Sequence, residues 1–401
     1  MNVLVLNAGS SSVKYQLLHV ETKEVLTKGA CERIGADDGI FTHGMKPNEV
    51  KEIVPMHNHE EAIARVLKCL VEGETAVLES LDQIDAVGHR IVQGGKYFKG
   101  STIVDDDVIA KIDELAELAP LHNKPALQGI YACQKLMPGT PMVTVYDSAF
   151  FFTMPQKAYM YPIPYEYYEK YGIRKYGAHG TSHKYVSHRA AEFLGKPLEE
   201  LKLITCHLGN GCSVSAIKDG VAVDTSMGLT PLDGIMMGTR SGSIDPTVVT
   251  FIEDHEHMTP AETNTMLNKK SGLLGISGVS NDARDIEKAC EEGNERAKLA
   301  YEMYAYSVQK CIGQYIAVLG GVDAVVLTAG LGENSSTVRE LIFKDLEPMG
   351  MKIDPELNEV RGPEREISAA DSKVKILVIP TNEELAIAQD TYDLVTAARN
   401  A

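Results

Sequence analysis

"VLVLNAGSSSVKYQLL" (residues 3–18) reads as an apolar strand, a turn of small residues and a second, alternating strand. "LITCHLGNGCSVSAI" (203–217) repeats the plan. Leu4, Leu6 and Gly9 fall against Ile204, Cys206 and Gly209, an offset of 200 positions in a chain of 401. A second pair supports the first: "IDAVGHRIVQGG" (84–95) resembles "VDAVVLTAGLGEN" (322–334), each an apolar strand running into glycines. Two echoes in the same order point to a duplicated domain rather than to chance likeness between buried strands.

Outward from these strands, helical periodicity over 105–118, 183–194, 286–318 and 335–346 alternates with strands over 142–146 and 374–379, the pattern of an α/β chain. The length suits two domains of roughly 150–200 residues. We place the boundary after the strand "MVTVYD", giving domains of 1–150 and 151–384, with a last helix over 385–401 crossing back to the first.

Composition narrows the function class. A hydrophobic share of 44% and a charged share of 24% are those of a soluble globular protein. A formal net charge of -17 repels nucleic acid and anionic membrane, so an anionic ligand must meet a local cluster of cations. Seven cysteines form no CxxC pair, which argues against a disulfide framework or zinc ribbon and fits a reducing cytoplasm. The start "MNVLVLNAG" has no basic region and too short an apolar run for a signal peptide. "IGQYIAVLGGVDAVVLTAG" is broken by Gly320, Gly321 and Asp323, so it reads as helix, turn and strand rather than a membrane span.

Turns of Gly and Ser between strands expose successive backbone N–H groups, and such nests attract phosphate oxygens. "NAGSSSVK" (7–14) and "HLGNGCS" (207–213) have that composition, but neither has the GxxxxGK[ST] spacing of a P-loop. "TAGLGENSS" (328–336) carries Gly330 and Gly332 without the third glycine of a dinucleotide fingerprint. Two arginines are isolated: Arg90 is the only Lys or Arg between Lys68 and Lys96, and Arg240 the only one between Lys218 and Lys269. Both stand among glycines, where a planar five-donor fork can reach carboxylate or phosphoryl oxygens; the competing reading is a structural ion pair.

Asp147 and Glu383 follow strands, where open α/β sheets place their chemistry. Thr381 to Glu384 reads as a capping box, which leaves Glu383 free to hold Mg²⁺ through water. In "KYGAHGTSHKY" (175–185), His179 and His183 have a two-histidine metal spacing, but Gly180 stands where HExxH needs glutamate. A turn before a helix capped by Thr181 or Ser182 puts His179 on a loop and His183 in the first turns, as an ordinary core or surface-exposed histidine.

In this order, "NAGSSSVK", "KYGAHGTSHKY", "CHLGNG", "SMGLTPLDGIMMGTRSG", "SNDARD", "TAGLGEN" and "PTNEELAIA" resemble the acetate kinase family across nearly the whole chain. The resemblance implies two duplicated ribonuclease H-like domains of the actin-like ATPase superfamily around a central cleft, a homodimer, and reversible transfer of the ATP γ-phosphoryl group to acetate. It implies Asn7 and Glu383 near Mg²⁺ or Mn²⁺, and Lys14 with His207, Leu208, Gly209, Asn210 and Gly211 near the nucleotide phosphates. Asp282, Ala283 and Arg284, with Gly330, Leu331, Gly332, Glu333 and Asn334, would flank the adenosine of ATP or ADP. Arg90 would bind the acyl carboxylate, Asp147 would be the catalytic acid, and His179 with Arg240 would stabilise the moving phosphoryl group. Val92, Leu121, Pro231 and residue 178 would line a methyl pocket.

The chemistry is consistent with those roles. In-line transfer spreads negative charge over three equatorial oxygens, which fixed donors stabilise. A carboxylate acceptor is already ionised at neutral pH, so Asp147 is expected to orient the metal, water or arginines more than to move a proton. This chain departs from the family in reading Ala178 for Phe, Gln93 for His and Phe151 for His. Ala178 therefore admits a rival substrate, propionate or another short acyl group. A rival class is a nucleotide-switched binding protein, which needs phosphate loops but no separate carboxylate pocket.

Overall fold

The computed structural model describes residues 1–117, 119 and 122–401. It divides into two compact units, Met1–Phe150 with Asn382–Ala401, and Phe151–Thr381.

Among the described residues, the first unit is built on an eight-stranded sheet. Its strands are β1 (Asn2–Gly9), β2 (Ser12–His19), β3 (Glu24–Glu32), β4 (Ile40–His43), β5 (Val50–Ile53), β6 (Ala86–Ile91), β7 (Thr102–Ile103) and β8 (Met142–Tyr146), in the order β5-β4-β3-β2-β1-β6-β8-β7. The central strand β1 runs antiparallel to β2 and parallel to β6, and β6 runs parallel to β8. Side chains alternate across a strand, so the apolar run of β1 feeds two cores. Leu4 and Leu6 pack with Val66 and Ile130 of helices His59–Val71 and Asn123–Leu136. Val3 and Val5 pack with Ile387, Ala388 and Val395 of the final helix, Glu383–Asn400. That helix returns to the first sheet, and burial of its apolar side chains is what holds it there.

The second unit repeats the plan. Its six-stranded sheet comprises β9 (Leu203–Leu208), β10 (Cys212–Lys218), β11 (Val221–Thr225), β12 (Ala324–Thr328), β13 (Arg365–Glu366) and β14 (Lys375–Val378), in the order β11-β10-β9-β12-β14-β13. The strand β9 is antiparallel to β10 and parallel to β12, and β12 is parallel to β14. Each sheet therefore holds three meandering antiparallel strands followed by two parallel ones, β3-β2-β1-β6-β8 and β11-β10-β9-β12-β14: the duplication that the 200-residue echo predicts, in the ribonuclease H-like arrangement that the family resemblance implies. Ile204, Cys206 and Leu208 face the long helix Glu295–Leu319 through Tyr304, Val308 and Ile312. Thr205 and His207 face the helix Gly180–Leu194.

Three local expectations are corrected. The helix expected over 286–318 is two, Ala283–Glu291 and Glu295–Leu319, because Gly293 takes φ +85° and Asn294 caps the second through the N–H groups of Arg296 and Ala297. Neither Thr181 nor Ser182 caps the helix after His179: it begins at Gly180, and His179 itself occupies the cap position at φ 60° without a side-chain cap bond. The final helix is capped by Asn382, which accepts from the Leu385 N–H, rather than by a Thr381 box. Among the described residues no helix is long and apolar enough to cross a membrane, and all seven cysteines are free thiols.

Candidate active site

In the first unit, Arg90 near the end of β6, Asp147 just after β8 and Glu383 at the start of the final helix come together. The Asp147 N–H donates to the Ile91 carbonyl at 2.9 Å, extending the β6–β8 pairing by one bond and setting the carboxylate beside the guanidinium. Arg90 Nη2 donates to Asp147 Oδ2 at 2.7 Å, and Nε lies 3.2 and 3.3 Å from the two carboxylate oxygens. Glu383 Oε1 is 3.4 Å from Arg90 Nη2, an ion pair without hydrogen-bond geometry, and it is buried with no hydrogen-bond partner among the described residues. Burial alone would lower Arg90, but Asp147 and Glu383 outweigh it and raise its pKa. Burial pushes Glu383 up, Arg90 opposes, and Asp147 adds to the rise. Asn7 pairs across β1 and β2 with Lys14, whose charge also acts on Glu383.

A buried carboxylate oxygen without a donor is an acceptor awaiting a cation or water. No cluster of three His, Cys, Asp or Glu side chains suited to a metal occurs among the described residues. This donor set fits Mg²⁺, which keeps several waters and takes one or two carboxylates with substrate phosphates, rather than zinc.

The loop after β6 is locked from within. Asn123 Nδ2 donates to the Gln93 carbonyl, Asn123 Oδ1 accepts from the Gln93 N–H, and Gln93 Oε1 accepts from the Gly95 N–H at 2.9 Å. Gln93 thus serves its own turn. Val92 is half-buried beside it, and Leu121 lies outside the described residues.

In the second unit the turn between β9 and β10 brings His179 and Arg240 to one point. A methyl built on Gly211 would lie 3.3 Å from Arg240 Nη1 and 3.4 Å from His179 Nε2. Arg240 Nη1 donates to the Pro231 carbonyl at 3.2 Å, and among the described residues the guanidinium has no carboxylate partner. Burial holds its pKa below the usual arginine value, with Cys212 opposing. A largely buried cation without an acid is a place for an anion. His179 stacks on His207 with ring centroids 4.1 Å apart.

Gly209, Asn210, Asp282, Ala283, Arg284, Gly330, Leu331 and Asn334 line one cavity of about 550 Å³, together with Asn281, Glu287, Ser335 and Arg361, which sequence reasoning missed. Asp282 accepts from the Arg284 N–H as helix cap and pairs with its guanidinium, and Asn281 Nδ2 donates to Asn210 Oδ1 at 3.1 Å. Leu208 is buried in the core, so only its backbone can face a ligand. Glu333 is turned inward, its Oε1 accepting from the N–H groups of Ala329 and Thr381. Gly332 approaches the end of β12, where an added Cβ would lie 3.3 Å from the Leu327 carbonyl carbon.

Ala178 is buried in the core of the second unit. Its neighbour Gly177 packs under the Phe151 ring, which leaves no room for a Cβ there. Phe151 also meets the His183 ring edge-on at 5.9 Å.

Residues 2–389 match the acetokinase family. The chain belongs to that family. It is 58% identical over 397 residues to the acetate kinase of Caldanaerobacter subterraneus subsp. tengcongensis, covering 98% of this chain and 99% of that protein. Its fold is similar to that of Porphyromonas gingivalis acetate kinase, with a TM-score of 0.94, 47% identity, and 98% and 99% of the two chains covered. It is also similar to a propionate kinase from Francisella tularensis, with a TM-score of 0.92, 42% identity and the same coverage. Members of this family are kinases, and this chain is a phosphotransferase of that kind.

Proposed function

We propose that the protein is an acetate kinase that transfers the γ-phosphoryl group of ATP to acetate, reversibly, by direct in-line displacement. One observation carries the reading: Arg240, largely buried and without an acid partner among the described residues, meets His179 Nε2 at the Gly211 backbone. A switch protein needs phosphate-binding loops but no such donor pair aimed at a moving charge.

In this reading ADP or ATP lies in the cavity of Asn210, Asp282, Ala283, Arg284, Gly330, Leu331 and Asn334, with its phosphates on the His207–Gly211 turn; the role of Lys14 toward them rests on the family resemblance. The trigonal phosphoryl group takes hydrogen bonds from Arg240 and His179. Arg90 binds the acceptor carboxylate through Nη1, which donates to no protein acceptor among the described residues, while Asp147 holds the guanidinium plane. Because the acceptor is already ionised, Asp147 acts by orientation. Mg²⁺, held by Glu383 and Asn7 through water, would neutralise charge on the phosphates.

Propionate and other short acids are the second reading, supported by Ala178 in place of the family's phenylalanine. A cytoplasmic location and a homodimer belong to the same proposal; exposed Val248, Phe251, Met303 and Tyr306 supply apolar surface for association. Hydroxylamine trapping of acyl phosphate from acetate with Mg-ATP tests the activity. No hydroxamate from any short acid, with ATP bound, would return the chain to the switch reading.

A further inference from the structure

Behind His179 lies a chain of polar side chains that the proposed chemistry does not use. Ser213 Oγ, on β10, is 2.9 Å from His179 Nδ1 and 2.7 Å from His183 Nε2. His183 Nδ1 is in turn 2.7 Å from Thr205 Oγ1 on β9. His183, Ser213 and Thr205 are fully buried. Burial, and then the neighbouring His207, hold His183 well below the usual histidine pKa, so it is neutral and carries one ring proton.

A serine hydroxyl owns one proton, so Ser213 donates to one imidazole and accepts from the other. Only two directions are possible. In the first, Ser213 donates to His183 Nε2 and His179 Nδ1–H donates to Ser213. His183 must then carry its proton on Nδ1 and donate to Thr205. The Thr205 hydroxyl proton is left in the interior with no acceptor among the described residues. In the second, Thr205 donates to His183 Nδ1, His183 Nε2–H donates to Ser213, and Ser213 donates to His179 Nδ1. Every proton of Thr205, His183 and Ser213 is then matched, and a stranded buried donor is the costlier choice. A doubly protonated His179 would also need the first direction, because it too carries a proton on Nδ1.

We propose that Thr205, His183 and Ser213 form a one-way hydrogen-bond chain that holds His179 neutral, with its proton on Nε2, the nitrogen that meets Arg240 at Gly211. His179 then donates a hydrogen bond to the transferring group and does not act as a base or nucleophile. Thr205, His183 and Ser213 are positioning residues: they act through His179 without touching substrate. The role, though not the tautomer, rests on the acetate kinase reading above.

Long-range proton–nitrogen NMR of the full-length protein carrying ¹⁵N-histidine reads the tautomer directly, with the His179 signals identified by their loss in His179→Gln. At neutral pH the native spectrum should show a protonated Nε2 and an unprotonated Nδ1. In Ser213→Ala both nitrogens should move toward exchange-averaged positions, and kcat for hydroxamate formation should fall up to about tenfold, the worth of one neutral hydrogen bond, with KM for ATP within about twofold. Ser213→Thr, which keeps the hydroxyl, should restore the native pattern and most of kcat. A native His179 protonated on Nδ1, or a Ser213→Ala protein with an unchanged spectrum or unchanged kcat, would overturn the proposal. Absence of kinase activity in the native protein, with the expected tautomer present, would instead sink the functional reading.

Discussion

Gly211→Ala places a single methyl group where the proposed phosphoryl donors converge. The backbone at Gly211 is outside the left-handed region, so alanine is permitted there. Its methyl would sit 3.3 Å from Arg240 Nη1 and 3.4 Å from His179 Cε1 and Nε2, close enough that both side chains must give way by a few tenths of an ångström. Loss of one donor aimed at transition-state charge costs about 10²–10³ in kcat. Here two donors are deflected rather than lost, so a fall of about 10²-fold is expected, with KM for acetate little changed. Strain from one added methyl should cost about 1–3 kcal/mol of stability at most, which leaves the protein folded. The control is Gly313→Ala inside the helix Glu295–Leu319, where an added Cβ meets nothing within 4 Å. It should stabilise by about 1 kcal/mol and leave kcat alone. The assay is hydroxamate formation with Mg-ATP, beside a urea unfolding curve for each variant. Native kcat in folded Gly211→Ala would show that the transferring group never comes to this point.

Arg240→Ala should lower kcat about 10²-fold or more, and Arg240→Lys should rescue poorly because an ammonium lacks the planar fork; full activity in the lysine variant would refute the geometric argument. Glu383→Ala should raise the Mg²⁺ concentration for half-maximal rate about tenfold, while the helix start persists through Asn382; an unchanged Mg²⁺ dependence would confine Glu383 to a structural role. His89, with Nε2 buried and unpartnered among the described residues, is held down to about 3 by burial, and His183 is held well below the usual value. Both protonate in the unfolded chain near pH 6.5, so stability present above that pH is lost as pH falls, at up to ~1.4 kcal/mol per pH unit for each; urea titrations at pH 7, 6 and 5 should show the loss, His89→Leu should flatten it by one proton, and a flat native profile would contradict it. Ala178→Phe should lower the propionate-to-acetate ratio of kcat/KM about tenfold; an unchanged ratio would mean that Phe151, packed on Gly177, already fills the space.

The central strands of both sheets were legible because they declare themselves locally, whereas β3, β4, β5, β7, β11 and β13, at and toward the sheet edges, were not read. β1 carries the apolar run Val3–Leu6, β9 alternates apolar residues with Thr205 and His207, and their hairpin partners alternate. Helix ends were less legible. The apolar spacing from 286 to 318 continues through Gly293, and only the backbone turn there shows that two helices meet. At the final helix, Thr381 and Glu384 have capping-box spacing, yet Asn382 wins the cap and leaves the Thr381 hydroxyl to Ser182, at 2.8 Å. Isolation in sequence singled out both arginines, and glycine-rich turns marked the ends of β1, β9 and β12. The polar chain behind His179 left no such signal, because Thr205 and Ser213 look like ordinary strand residues until β9 and β10 turn them toward one helix.

Arg90 and Arg240 read alike in sequence, and their surroundings separate them. Arg240 meets no acid among the described residues, so its charge is available to an anion directly. Arg90 already holds Asp147 and lies beside Glu383, and with both acids ionised the three carry a formal charge of about -1 before any substrate arrives. An acyl carboxylate there would add another negative charge in a partly buried place, which Coulomb repulsion opposes. The raised pKa of Glu383 reports the same crowding, with burial as its first cause. A divalent cation on the orphaned Glu383 oxygen would reverse the balance. Acceptor affinity at Arg90 should therefore depend on the metal, and the metal's contribution should be as much to hold the carboxylate beside Asp147 as to bind the nucleotide phosphates.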